Sequence, residues 1–86
     1  RYGGEEFVVL LPNTDKEGVF IEAERLREAV KGYRCSGIDR CIMVTISLGV
    51  STFPSPEIST ADELVGRADD ALYKAKRNGR NKTVEA

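Results

Sequence analysis

The chain has 86 residues, 41% of them hydrophobic and 31% charged, enough apolar material for one small core and too much for an intrinsically disordered segment. A net charge of -1 gives no global field that would draw it to nucleic acid, and no apolar run approaches the roughly 20 residues of a membrane-spanning helix or has the pattern of a signal peptide. The two cysteines, Cys35 and Cys41, have no second pair and no histidine beside them; zinc-site and disulfide spacings are absent, and both read as reduced thiols in a cytoplasmic setting.

The chain opens on Gly3-Gly4, a pair that tolerates positive φ and suits a two-residue hairpin turn. Only Arg1 and Tyr2 precede it, so the chain is expected to begin inside a hairpin. Residues Phe7 to Leu11 (FVVLL) are β-branched, aromatic or aliphatic and are closed by Pro12, which predicts a central strand buried on both faces. Thr14 and Glu17 have capping-box spacing, and Val19, Phe20, Ala23, Leu26, Ala29 and Val30 recur at helical intervals as far as Gly32; the spacing predicts an amphipathic helix over about 15–31. Residues 33 to 41 read as a loop with at most one short strand.

Ile42 to Phe53 (IMVTISLGVSTF) is strongly strand-like, and Gly49 inside it points to a bulge or a close backbone approach. Pro54 and Pro56 break the run, and Thr60 with Glu63 forms a second capping box ahead of Leu64, Val65, Ala68, Ala71, Leu72 and Ala75. Gly79 is the expected stop of that helix, and Lys82 to Glu85 reads as a short edge strand. The expected order is strand, helix, strand, helix, strand, an α/β (α+β) domain with a sheet covered by helices.

Two stretches carry chemistry. In Arg1-Tyr2-Gly3-Gly4-Glu5-Glu6-Phe7 a turn without side chains stands beside two carboxylates and a strand. Such glycines let a phosphate approach the backbone, and a carboxylate at a turn suits Mg²⁺, which bridges phosphate oxygens during displacement at phosphorus. The residues alone equally fit a hairpin turn with two solvated glutamates. From Tyr73 to Lys82 there are five basic residues (Lys74, Lys76, Arg77, Arg80, Lys82) and no acid. Lys76 and Arg80, four apart, would share one side of a continuing helix and could neutralise a phosphate chain. The bland alternative is basic residues in a last helical turn favoured by the helix dipole.

RYGGEEF, then AERLR, then TISLGVS, then ADDALYKAKRNGRN resembles the GGDEF family in order and spacing along nearly the whole chain. Glu stands at the third signature position where the family name has Asp, a substitution that active members accept. The resemblance implies that residues 1–86 are the C-terminal part of a single GGDEF domain, with a nucleotidyl-cyclase-like fold, a central and mainly antiparallel sheet, and an N-terminal half that precedes Arg1. It implies a bacterial signal-transduction enzyme, a diguanylate cyclase. The parent would join two GTP into cyclic di-GMP as a homodimer, releasing pyrophosphate, while the 86 residues alone would be inactive.

Carried over residue by residue, the resemblance implies that Glu5 ligates Mg²⁺ or Mn²⁺ and accepts the proton of the attacking 3′-hydroxyl. Glu6 would complete the catalytic signature and Phe7 would anchor the strand in the core. Gly3 and Gly4 would lie against GTP, and Lys76 and Arg80 would contact its triphosphate. Arg25 falls where members place an arginine that helps hold cyclic di-GMP at an inhibitory site. Thr45, Ser47 and Gly49 are assigned to the sheet. The competing expectation is a degenerate domain that binds GTP or cyclic di-GMP and regulates without turnover.

Overall fold

The computed structural model describes residues 6–32 and 44–86. They form two helices and two short strands in the order α1 (Lys16–Lys31), β1 (Leu48–Val50), α2 (Ala61–Arg77) and β2 (Thr83–Glu85). Cys35, Cys41 and the 33–41 loop lie outside the described residues.

Helix α1 starts one residue later than the Thr14 cap predicted. The Asp15 side chain is the cap, accepting from Gly18 N at 2.8 Å, while the Thr14 hydroxyl donates to Pro12 O at 3.0 Å and is thereby engaged with the preceding turn. The apolar stripe is only partly covered: Ala23 is buried, Val19, Phe20 and Val30 are half-buried, and Leu26 and Ala29 are exposed.

Helix α2 begins at the predicted capping box. Glu63 N donates to Thr60 Oγ1 at 3.1 Å, and Glu63 Oε1 accepts from Thr60 N at 3.1 Å and Ser59 N at 3.0 Å. The Ser59 hydroxyl also donates to Glu63 Oε1, at 2.7 Å, and the bonds that this carboxyl accepts from Ser59 and Thr60, the Ser59 hydroxyl first, hold it below its ordinary pKa. Its predicted apolar face is the covered one, with Ala71 and Ala75 buried and Leu64, Val65, Ala68 and Leu72 half-buried. The helix ends at Arg77 with Asn78 as its cap, and Gly79 turns the chain away with a φ of 109°, a left-handed conformation that glycine adopts without a Cβ penalty. Arg80 N reaches back to Ala75 O at 2.9 Å and closes a Schellman-type cap.

The strands pair in parallel, with Leu48 opposite Thr83, Gly49 opposite Val84 and Val50 opposite Glu85. Among the described residues this corrects the expected antiparallel sheet. The connection from β1 to β2 runs through α2, and a helical crossover returns the chain in the direction it left, which makes the pair parallel. The predicted strand at 42–53 also contracts to Leu48–Val50, its first two residues lying outside the described ones. Ladder bonds extend slightly beyond both strands, from Leu48 N to Lys82 O at 2.9 Å and from Ala86 N to Val50 O at 2.8 Å.

Small residues set the packing. The buried hydrophobic residues among those described are Ala23, Ile58, Ala71 and Ala75. Alanines on α2 let its backbone approach β1 closely, and Gly49 sits at the contact: a Cβ there would collide with the Ala68 carbonyl and the Leu72 backbone. The Ser51 hydroxyl donates to Leu64 O at 2.6 Å and fixes the same approach from the end of β1.

The segment 7–11 departs from expectation. It is irregular, with Phe7 73% and Leu10 73% exposed, so Phe7 is not a core anchor here. A strand exists only as part of a hydrogen-bonded ladder, and this run meets no partner strand among the described residues.

Candidate functional site

The structure brings the acidic end of the chain to the basic one. Lys76 Nζ, in the last turn of α2, lies 3.4 Å from Glu6 Oε2, joining residues 70 apart in sequence. Both side chains are more than one-third exposed, so the pair is worth ~0–1 kcal/mol, and its interest is its location. Gly3, Gly4 and Glu5 lie outside the described residues.

Arg80 does not share a helical face with Lys76, as four-residue spacing would require. The helix ends at Arg77, and Gly79, Arg80 and Asn81 all take positive φ, at 109°, 63° and 48°. The glycine stop reverses the chain after Lys76, so the two cations sit on a helix end and on a left-handed turn. Lys82 Nζ folds back to the Asn78 carbonyl and covers the end of α2. Arg77 stacks on the exposed Tyr73 ring, 5.7 Å from its centroid.

Behind that turn lies a polar cluster that sequence reasoning missed. Arg27, on α1, has only 14% of its side chain exposed. Its guanidinium grips Glu24 bidentately, with Nε to Oε2 at 2.7 Å and Nη2 to Oε1 at 3.1 Å, and Nη2 also meets Glu28 Oε1 at 2.7 Å. Nη1 donates to Asn81 Oδ1 at 3.2 Å and reaches Asn81 O at 3.5 Å. The Thr83 hydroxyl donates to Glu24 Oε2 at 2.8 Å, and Asn81 N donates to Ser47 Oγ at 3.2 Å. Arg27, followed by Thr83, holds the Glu24 carboxyl below its ordinary pKa; Glu24 raises that of Arg27 in turn. The one available signal was the second arginine of AERLR, which periodicity alone places among ordinary helix-surface cations.

Ser47, assigned to the sheet, is therefore a ligand of the turn, whereas Thr45 is exposed. Arg25 is separate from this cluster: 73% exposed, it pairs with Glu22 at 3.1 Å one turn back. Among the described residues no three metal-ligating side chains come together, and the carboxylate of Glu6 faces an ammonium. The described residues therefore do not fit a Mg²⁺ site, and the ligand expected for it, Glu5, is outside them. No helix among the described residues is long and apolar enough to cross a membrane.

Fold and site together define a small α+β unit in which a strand–helix–strand crossover sets the basic end of α2 beside Glu6. The family model for the GGDEF domain of diguanylate cyclases matches residues 1–82, and the chain belongs to that family. It is 45% identical over 84 residues to diguanylate cyclase A of Treponema denticola, covering 98% of this chain and 22% of that protein. It is 44% identical over 86 residues to diguanylate cyclase DgcM of Escherichia coli, covering 100% and 20%, and 43% identical over 86 residues to the response regulator PleD of Caulobacter vibrioides, covering 98% and 19%. The chain thus spans about a fifth of the length of these relatives.

Proposed function

We propose that the protein carrying these residues is a diguanylate cyclase in which two GTP-loaded copies of the domain meet and condense their nucleotides into cyclic di-GMP. The observation that carries this reading is the approach of Lys76 to Glu6, the second glutamate of the GGEEF signature, in a chain that belongs to the GGDEF family. The 3′-hydroxyl oxygen of one GTP attacks the α-phosphorus of the other. As that P–O bond forms, the bond from the α-phosphorus to its β-bridging oxygen breaks and pyrophosphate leaves. The hydroxyl proton passes to Glu5, and the same exchange in the opposite sense closes the ring.

Gly3 and Gly4 leave room for the nucleotide, Lys76 and Arg80 hold the triphosphate, Lys76 opposes the charge that gathers on departing pyrophosphate, and Glu6 orients Lys76 between turnovers. In the intact domain Glu5 would hold a divalent ion, Mg²⁺ or Mn²⁺, which would supply further charge neutralisation. The 86 residues alone are inactive on this reading, since a lone carboxylate binds Mg²⁺ weakly. Arg25, exposed on α1, is available to cyclic di-GMP as an inhibitory contact. GTP as substrate places the domain in the cytoplasm.

Replacing Glu5 by Gln in the full-length protein abolishes cyclic di-GMP synthesis, followed by chromatography of the nucleotides, while leaving the fold intact by circular dichroism. Wild-type turnover by that variant overturns the assignment. Wild-type protein that binds GTP or cyclic di-GMP yet makes no product establishes the binding-only alternative.

A further inference from the structure

The turn that carries Arg80 is an unfavourable piece of backbone. Arg80 and Asn81 both hold positive φ without being glycine, and such residues persist only where their surroundings over-determine them. Three contacts do so. Arg80 N is tied to Ala75 O at 2.9 Å, Asn81 N to Ser47 Oγ at 3.2 Å, and the Asn81 side chain to Arg27 Nη1 at 3.2 Å. Ala75 lies on α2 and Ser47 just ahead of β1, so Arg27 adds the link from α1, bridging 54 positions of sequence.

Arg27 is built to be rigid. Two of its nitrogens, Nε and Nη2, make three bonds to Glu24 and Glu28, so the guanidinium arrives at Asn81 already oriented, and a planar fork held at several points loses little freedom in making one further bond. Glu24 is itself anchored to β2 through Thr83. Nearly buried, Arg27 is poorly placed to meet a ligand directly. What it controls is the direction in which the next residue back, Arg80, leaves the turn.

We propose that Arg27 is a positioning residue for nucleotide binding: through Asn81 it locks the left-handed turn that aims Arg80 at the triphosphate. The inference rests on the cyclase reading and adds to it a residue that never touches GTP. Losing the lock leaves Arg80 present but unaimed, so the triphosphate is held less well in the ground state as in the transition state. KM for GTP therefore rises while kcat changes little. A purely structural defect lowers the fraction of active enzyme and hence the apparent kcat, leaving KM in place.

The test uses the full-length protein with Arg27→Gln, Arg27→Lys, Asn81→Gly, Arg80→Ala and the Arg27→Gln/Arg80→Ala double variant. Asn81→Gly keeps a backbone that tolerates positive φ and removes only the side-chain partner, so it remains informative if the arginine variants fail to fold. Readouts are KM, kcat, affinity for a non-hydrolysable GTP analogue and amide exchange at Arg80 and Asn81 without nucleotide. Arg27→Gln and Asn81→Gly are expected to raise KM by about tenfold, the scale of one charge-assisted contact. Arg27→Lys, which cannot reproduce the fork, rescues little, and the double variant is no worse than Arg80→Ala.

Additive losses in the double variant overturn the proposal, as does faster exchange in the turn with unchanged analogue affinity; both leave the cyclase reading standing. Failure of wild-type protein to bind the analogue overturns the two together.

Discussion

Replacing Gly49 by Ala tests the packing on which the strand pair depends. The added Cβ would lie 2.8 Å from Leu72 Cα and closer still to the Leu72 amide and the Ala68 carbonyl. Carbon atoms in ordinary contact stand ~3.5–4.0 Å apart, so β1 must retreat from α2 by about 1 Å. The obstructing atoms are helix backbone and cannot rotate away. Overpacking of this kind costs ~1–3 kcal/mol, and the rigid neighbours place this case in the upper part of that range. For a domain of roughly 150–250 residues each kcal/mol moves the midpoint by ~2–4 °C, so the full-length variant should melt about 4–12 °C lower by differential scanning calorimetry. The control is Gly66→Ala, at an exposed α2 position with nothing within 4 Å of the added methyl. That change should stabilise by ~0.5–1 kcal/mol through helix propensity alone. If both variants melt with the wild type, or Gly49→Ala melts higher, the close approach of β1 to α2 is wrong.

The capping box gives a second test: Thr60→Ala should cost ~1 kcal/mol in urea unfolding with no change in the slope of the transition, and a neutral result would mean that α2 does not need this cap. The Glu24 network predicts an acid-sensitive step. Because Glu24 titrates below its ordinary 4.5 in the folded chain, its contribution is present above that value and is lost as pH falls through the lower folded pKa. Thermal midpoints followed from about pH 7 to about pH 3 should therefore fall less steeply below 4.5 in Glu24→Gln than in wild type, and parallel curves would refute the assignment. Finally, Lys76→Ala should change stability by less than ~1 kcal/mol, since its partner Glu6 is solvated, yet sharply weaken GTP-analogue binding; equal binding would remove Lys76 from the site.

Much of this architecture was legible because its signals are local. Both helices, the Thr60 and Glu63 box, the Gly79 stop, the last short strand and the tight approach at Gly49 all follow from caps, periodicity and backbone permissiveness within a few residues. The Thr14 cap went wrong by one position because two adjacent residues could each serve, and the competing hydrogen bond to Pro12 decided between them. The GGEEF signature could be read, but Glu5 lies outside the described residues, and the shared side for Lys76 and Arg80, which required the helix to continue, is not realised because the Gly79 stop intervenes.

By itself the sequence determined which segments become helix, where α2 begins and both helices end, and which family's motifs the chain carries. Only the tertiary structure decided that the two strands run parallel, that Phe7 to Leu11 joins no sheet among the described residues, and that Arg27 meets Asn81. Caps and periodicity act over one or two turns of backbone, whereas a ladder partner, a crossover or an ion pair 70 residues apart exists only once the whole chain has been brought together.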